Sequence, residues 1–444
     1  MAALGDIYVV TGYGHGHLRP CMELCKQLCV RDYRAVLVVP STVSSTIAPF
    51  VAQNPLVAIA EITPTAFFTK SPDQDPQAEK AMQDLHGYLL QASSKPLCAI
   101  VDFHMSWMKS AFWKHDVPVV SFLPFSACAA AMEWGAWNVR AVEIGSPGEA
   151  RPIPGLPLEM SVTYWDLKRK PFAPLGLAGK FAPGNRPIWL PAIEGSVALL
   201  INSCDDLEAS YMKYIEQQGK IPVWGVGPLL PDFYRTSNAD TESTARSGLP
   251  FTEETVLKWL DSKSPGSVLY VAFGSMVKLD EEEHDELASA LKESGKEFLW
   301  VVGGAEEKCH IQGRGMVIQG WAPQQKILSH KATGAFLSHC GWNSVIEGLS
   351  QGLPFLAWPV RGDQPWNAKL LVESLGVGCK VADDMSKVIR KADILKGIER
   401  VTGDDELRRK ATGMKQLFAA GFPSSSDVAL NAFIDFVKEK QLNT

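Results

Sequence analysis

Two residues of this chain are placed to move a proton. His17 ends the glycine-rich stretch Gly12-Tyr13-Gly14-His15-Gly16-His17, directly after the first apolar run. Leu-Arg-Pro follows it, so it stands just before or at the start of a helix, where the dipole disfavours the imidazolium. With partial desolvation such a histidine is a neutral base near physiological pH. Asp102 ends a second apolar run, LCAIVDF (97–103). An acid there is either a helix cap or an active-site group at the carboxyl edge of a sheet, and position alone weighs the two equally. Ser126 follows a third run, VPVVSFLP (117–124). If these runs are strands of one sheet, all three residues share an edge. Asp102 could then accept from one ring nitrogen of His17 while the other faces a substrate, a base and its orienter with the nucleophile left to the substrate.

A second group lies between Trp321 and Gln364. The run Gly334-Ala-Phe-Leu337 reads as a buried strand that delivers Ser338 and His339 at its end. Gly341 permits a sharp turn, Asn343 and Ser344 suit a helix N-cap, and VIEGLS continues the helix. The first amides of that helix make an anion site, to which His339, Asn343 and Ser344 add side-chain donors. Glu347, one turn later on the same face, suits neutral hydroxyls such as those of a ribose. Trp321 offers a flat face for a base, and Ala322 and Gln324 lie beside it. Asp363 and Gln364 suit the vicinal hydroxyls of a sugar. Ser275, at the end of SVLYVAFGS, is a further phosphate-approach point or an ordinary turn serine. Strand-turn-helix with a capping serine is common in any α/β protein. Its conjunction with the flanking tryptophan and the Asp-Gln pair argues for function. No metal cluster is expected, so charge on a leaving diphosphate would fall to helix amides and His339. The residues together point to transfer from a nucleotide sugar to a hydroxyl deprotonated by histidine.

The elements that must position these groups read as β-α-β units. DIYVVT (6–11), a helix over 18–30, and RAVLVVP (34–40) open the chain, and SVLYVAFGS (267–275), a helix from EEEHDELASALKESG, and EFLWVVG (297–303) open its second half. This alternation predicts an α/β protein with two doubly wound parallel sheets. A nicotinamide reading of the first glycine loop fails. Its glycines stand at 12, 14 and 16, and the second strand ends in Val-Val-Pro-Ser without the ribose-binding acid. The polar stretch from Leu229 to about Pro250 is the expected linker, dividing residues 1–235 from 251–444. The last amphipathic helix, VALNAFIDFVKEK, packs either back on the first domain or on its own.

Composition narrows the field. The 444 residues exceed one typical core, and 43 basic against 49 acidic side chains argue against nucleic acid or an anionic membrane as partner. No apolar run spans a membrane, and no signal region precedes the first strand, so a soluble, cytoplasmic protein is expected. Nine scattered cysteines without a C-x-x-C pair read as buried thiols in a reducing compartment.

The 44 residues Trp321 to Gln364, with W-A-P-Q, H-C-G-W-N-S, E and a terminal D-Q, closely resemble the signature box of plant family 1 UDP-glycosyltransferases. Weaker matches run the length of the chain: G-H-x-x-P at 16–20, V-D-F at 101–103, I-P-G-L-P at 153–157, W-L-D at 259–261 and F-G-S at 273–275. The resemblance implies a GT-B fold, two Rossmann-like domains with parallel sheets facing across a cleft. An N-terminal domain would bind the acceptor and a C-terminal domain the UDP-sugar. It implies metal-independent, inverting transfer, with His17 as base and Asp102 as orienting acid. Trp321 would stack on uracil, with Ala322 and Gln324 beside the nucleoside and Glu347 on the ribose. His339, Asn343, Ser344 and Ser275 would hold the diphosphate. Trp342, Asp363 and Gln364 would hold the sugar, with Ser126 at its 6-hydroxyl. The terminal Gln leans towards UDP-glucose as co-substrate, with no other cofactor. The expected acceptor is a small lipophilic plant metabolite such as a flavonoid, phenolic, terpenoid or hormone, and the expected state a monomer. Transfer to carbon or nitrogen by the same site, or a non-catalytic UDP-sugar-binding protein, are the alternatives. The stretch Val10-Thr11-Gly12-Tyr13 departs from the family's proline-bearing pattern on the acceptor side.

Overall fold

The computed structural model describes residues 3–65, 75–170, 183–231, 252–274, 277–303, 314–419 and 421–442. The expected linker falls largely outside them, as does Ser275. Five strands come first: β1 (Asp6–Val10), β2 (Arg34–Pro40), β3 (Val57–Ile62), β4 (Cys98–Asp102) and β5 (Val119–Leu123). A short antiparallel hairpin, β6 (Ala150–Arg151) and β7 (Val162–Thr163), intervenes before β8 (Ala198–Ile201) and β9 (Val223–Gly225). The first sheet has the order β3-β2-β1-β4-β5-β8-β9 with every pairing parallel. Its central strands are buried end to end, as expected for a sheet covered on both faces.

The second sheet comprises β10 (Val268–Ala272), β11 (Glu297–Val302), β12 (Gly315–Gln319), β13 (Thr333–Ser338), β14 (Phe355–Ala357) and β15 (Gly378–Lys380). Its order, β12-β11-β10-β13-β14-β15, repeats the plan of the first, again wholly parallel. In both sheets the chain works outward from the first strand and then reverses. The reversal opens a crevice at the carboxyl ends, between β1 and β4 in one sheet and between β10 and β13 in the other. All the short apolar runs expected as strands form strands. The third strand of the first sheet is an addition, and so is the helix Ser41–Gln53 before it, whose β-branched residues and internal Pro49 carry little helix signal.

The chain divides into two compact units that do not follow its order. Residues 1–127, 187–229 and 422–444 form one, and 128–186 with 230–421 the other. A single break near 235–250 therefore does not describe the partition. Segment 128–186 joins the second unit because its polar groups find partners there. Lys369 pairs with Asp166 at 2.9 Å, Lys170 reaches Asp280 at 2.6 Å and Glu283 at 2.7 Å, and the Arg169 guanidinium lies 5.1 Å from the centre of the Trp366 ring. In the first unit the helix Ser424–Leu442 buries Leu430, Phe433, Ile434 and Val437 in the same core as Leu200, Val226 and Leu229. Arg31 forms an ion pair with Asp427 beside it.

Candidate active site

In the first unit the site grows from the β1–β4 crevice. After β1 the chain turns through Gly12 and Gly14, the latter at φ +84°, and the helix His15–Cys29 begins. Its face Leu18, Cys21, Leu24, Cys25 and Leu28 is buried, which fixes the helix against the sheet. The helix starts three residues earlier than expected, so His17 lies within its first turn and Pro20 in its second. β4 runs beside β1 with Val10 opposite Val101, which brings Asp102 alongside the turn. The His17 Nδ1 to Asp102 Oδ2 distance is 2.7 Å. His17 keeps 17% of its side-chain surface exposed, whereas Asp102 has none. Nδ1 facing a carboxylate carries the ring proton, which leaves a lone pair on Nε2.

Asp102 is both cap and orienter. Oδ1 accepts the His104 backbone N–H at 2.9 Å and caps the short helix Phe103–Met108, while Oδ2 holds His17. Burial alone would raise its pKa, but His17 and the capping amide outweigh burial and hold it below the ordinary carboxylate value. His104 stacks on His17 with ring centres 4.2 Å apart and planes 26° from parallel. Burial, with the neighbouring His17 ring, pushes the His104 pKa down to about 4. His17, Asp102 and His104 are the one group among the described residues whose ligand atoms, within 4.8 Å of one another, could hold a metal ion. The 2.7 Å hydrogen bond accounts for two of them without an ion. Ser126 follows β5 at the same edge and is fully buried.

Gly12 explains how this pair fits. A Cβ there would lie 2.7 Å from Asp102 Oδ1 and 2.9 Å from His17 Nδ1. Its place in a tight turn was legible in the sequence, but its closeness to the acid was not.

In the second unit the site grows from the β10–β13 crevice. Gly274, φ +72°, lies two residues beyond the end of β10, and His339, which is buried, directly follows β13. A Cβ on Gly274 or Gly341 would come within 2.8 or 2.6 Å of His339 Nε2, so two glycines clear the space around this ring. Burial and the Arg361 cation push its pKa down to about 4. At neutral pH His339 is therefore an uncharged hydrogen-bonding group. Cys340 takes φ +62°, and the helix Trp342–Ser350 follows with Gly341 at its N-cap and no side-chain cap bond. Asn343 and Ser344 thus lie inside the first turn and are not its caps. Trp342 is buried at 3% exposure. Trp321 is 37% exposed beyond β12, as a stacking platform must be.

Gln324 connects these groups. Its Nε2 donates to Glu347 Oε2 at 2.6 Å and to Ser344 Oγ at 3.2 Å, and its Oε1 accepts from the Tyr270 hydroxyl at 3.1 Å. Ala322 accepts the Gln324 backbone N–H at 2.8 Å. Farther along, the Gln364 Oε1 accepts the Val360 and Arg361 amides at 3.0 and 2.9 Å. That oxygen is committed to the loop, which leaves the NH₂ as the remaining polar group of the Gln364 side chain. Sequence reading did not single out His104, Arg361 or Asn367. His104 stands two residues after Asp102 and Asn367 one helical turn after Asp363, which are the local signals that could have found them.

The family model for UDP-glucoronosyl and UDP-glucosyl transferase matches residues 228–418. Scopoletin glucosyltransferase of Nicotiana tabacum is 30% identical over 446 aligned positions, covering 91% of each chain. Abscisate beta-glucosyltransferase of Phaseolus angularis is 32% identical, covering 68% of this chain and 65% of that protein. Among solved structures, Medicago truncatula UGT71G1 complexed with UDP-glucose superposes with a TM-score of 0.78 at 25% identity, covering 98% of both chains. No described helix is long and apolar enough to cross a membrane. The chain belongs to the UDP-glucoronosyl and UDP-glucosyl transferase family and is a UDP-glycosyltransferase of GT-B fold, with plant enzymes among its relatives.

Proposed function

We propose that this protein transfers glucose from UDP-glucose, with inversion, to a hydroxyl of a small lipophilic plant metabolite. The observation that carries the reading is the 2.7 Å His17–Asp102 pair, with Asp102 fully buried and His17 part-exposed. His17 Nε2 takes the acceptor's hydroxyl proton as the oxygen attacks the anomeric carbon. The bond from that carbon to the diphosphate breaks, and UDP leaves. A single displacement on the face opposite the leaving group inverts the anomeric centre. Asp102 holds the tautomer and stabilises the imidazolium that forms.

The donor's groups follow the same logic. Trp321 stacks on the base, with Ala322 and Gln324 beside the nucleoside. Glu347 accepts from the ribose hydroxyls, its carboxylate having acceptor sites beyond the one that Gln324 fills. His339 and the first-turn residues Asn343 and Ser344 meet the diphosphate, with Ser275 assigned there as well. Trp342, Asp363 and Gln364 meet the sugar, and Ser126 is assigned to its 6-hydroxyl. With His339 neutral, leaving-group charge is met by hydrogen-bond donors rather than by a cationic imidazole.

The test is a panel of phenolic, terpenoid and hormone acceptors with UDP-glucose, read by mass, for the native chain and His17→Ala. The native chain is expected to add one hexose to at least one acceptor. The variant is expected to lose about 10²–10⁴-fold in kcat and to keep its UDP affinity. No product with any acceptor would favour a non-catalytic binding protein, and a parallel loss of UDP affinity would remove His17 from the role of base.

A further inference from the structure

Asn367 is fully buried in the helix Gln364–Lys369, where no solvent competes for its amide. A side-chain amide nitrogen has two protons, and both are used. One goes to the Cys340 carbonyl at 2.9 Å, the other to Asp363 Oδ2 at 2.8 Å. The two acceptors lie in different loops. Cys340 belongs to the turn after β13, and its carbonyl is aimed by an unusual left-handed backbone, φ +62°, with its N–H on Ser338 Oγ at 3.1 Å. Asp363 belongs to the loop after β14, and its backbone carbonyl accepts the Asn367 N–H at 3.0 Å. One buried side chain thus ties the phosphate-side turn to the sugar-side carboxylate.

The neighbouring Gln364 does not need this tie, because its own oxygen closes the 360–364 loop on two backbone amides. The Asp363 carboxylate can turn about its χ angles, and the Asn367 donor favours the rotamer that brings Oδ2 to 2.8 Å from the amide nitrogen. We propose that Asn367 is a positioning residue for donor-sugar recognition: it orients Asp363 and holds it in register with the H-C-G-W turn. This rests on reading Asp363 as a sugar-binding residue. A residue that acts this way affects the hexose and leaves the UDP portion alone, since uracil, ribose and diphosphate are assigned to other groups.

The experiment compares binding of UDP and UDP-glucose by calorimetry in the native chain, Asn367→Leu, Asn367→Ser and Asp363→Asn. Leucine keeps the volume without donors. Serine, the smaller change, can serve at most one of the two acceptors and covers the case in which Asn367→Leu does not fold. UDP affinity reports whether the remainder of the site is intact. The expected result is UDP affinity within twofold of native in both Asn367 variants. The preference for UDP-glucose over UDP should fall roughly tenfold, as for loss of a hydrogen bond to a charged group. KM for UDP-glucose should rise, and discrimination against UDP-galactose should narrow. Equal weakening of UDP and UDP-glucose would show a merely structural support of the turn and overturn the proposal. So would an unchanged preference in the Asn367 variants when Asp363→Asn changes it. An unchanged preference in Asp363→Asn itself would overturn the underlying reading of Asp363, and the proposal with it.

Discussion

Gly12→Ala isolates the contribution of the His17–Asp102 geometry. The added methyl would sit 2.7 Å from Asp102 Oδ1 and 2.9 Å from His17 Nδ1, against an ordinary contact distance of 3.4–4 Å. Gly12 is not among the positive-φ glycines, so alanine strains no backbone dihedral and the effect is steric. Something must move by about 0.7 Å, the difference between 3.4 and 2.7 Å. Asp102 is the harder group to shift, because it is fully buried, ends a central strand and caps the following helix. His17, part-exposed, is the group that yields, and its 2.7 Å bond to the carboxylate is lost or badly bent. Overpacking of this kind costs about 1–3 kcal/mol in stability. The loss in rate should approach that of removing the base, about 10²-fold or more in kcat. Steady-state kinetics with the best acceptor gives kcat, and calorimetry with UDP gives the integrity of the second unit. The expected pattern is a large fall in kcat, a small fall in melting temperature and an unchanged UDP affinity. Native kcat in Gly12→Ala would show that orientation of His17 by Asp102 is not required, and the argument from their separation would fail.

Three further outcomes follow from the same geometry. Asp102→Asn retains an oxygen to cap His104 N–H, but an amide cannot both cap there and accept from His17 as the carboxylate does. kcat should fall by about 10²-fold with little change in melting temperature, and a melting point as depressed as the rate would make Asp102 chiefly structural. His339 has its folded pKa lowered to about 4 from 6.5, so between those values the unfolded chain binds the proton and the folded chain does not. Its contribution to stability is therefore complete above pH 6.5 and is lost as pH falls towards 4, reaching a loss on the order of 2 kcal/mol at pH 5. Urea unfolding at pH 7 and pH 5 should show a smaller drop in His339→Gln than in the native chain. Lys369 and Asp166 form a buried pair at 2.9 Å, so Lys369→Met strands a carboxylate and should cost about 3–5 kcal/mol, much of it recovered when Asp166→Leu is added. Additive losses in the double variant would deny the coupling.

Much of the architecture was legible because it is local. Runs such as RAVLVVP and LCAIVDF bury both faces of a strand, and their apolar continuity says so without any partner in view. Glycine at 12, 14 and 341 marked turns that the chain does make. Where local signals misled, a specific force prevailed. Asn343 and Ser344 are good capping residues, yet Gly341 takes that place because the backbone must pass close to the His339 ring. Ser41–Gln53 is helical against its β-branched composition because Ile47 and Phe50 are buried in the core. Segment 128–186 lies beyond any local reading, since its partners Asp280, Lys369 and Met385 are far along the chain.

The sequence by itself determined the alternation of strand, turn and helix, the family and the chemical types present: a histidine, two separated acids, a stacking tryptophan and a turn rich in donors. It did so because burial and turn formation depend on neighbours a few residues away. Only the tertiary structure decided which groups act together. His17 and Asp102 are 85 residues apart, and they meet because β4 passes over β2 and β3 to pair with β1. The same reversal in the second sheet sets Gly274 beside His339. The second crevice then gains a tie between its loops from Asn367, whose two donated hydrogen bonds span 27 and 4 residues. Strand order is set by the packing of the whole sheet, and no stretch of chain short enough to read locally contains it.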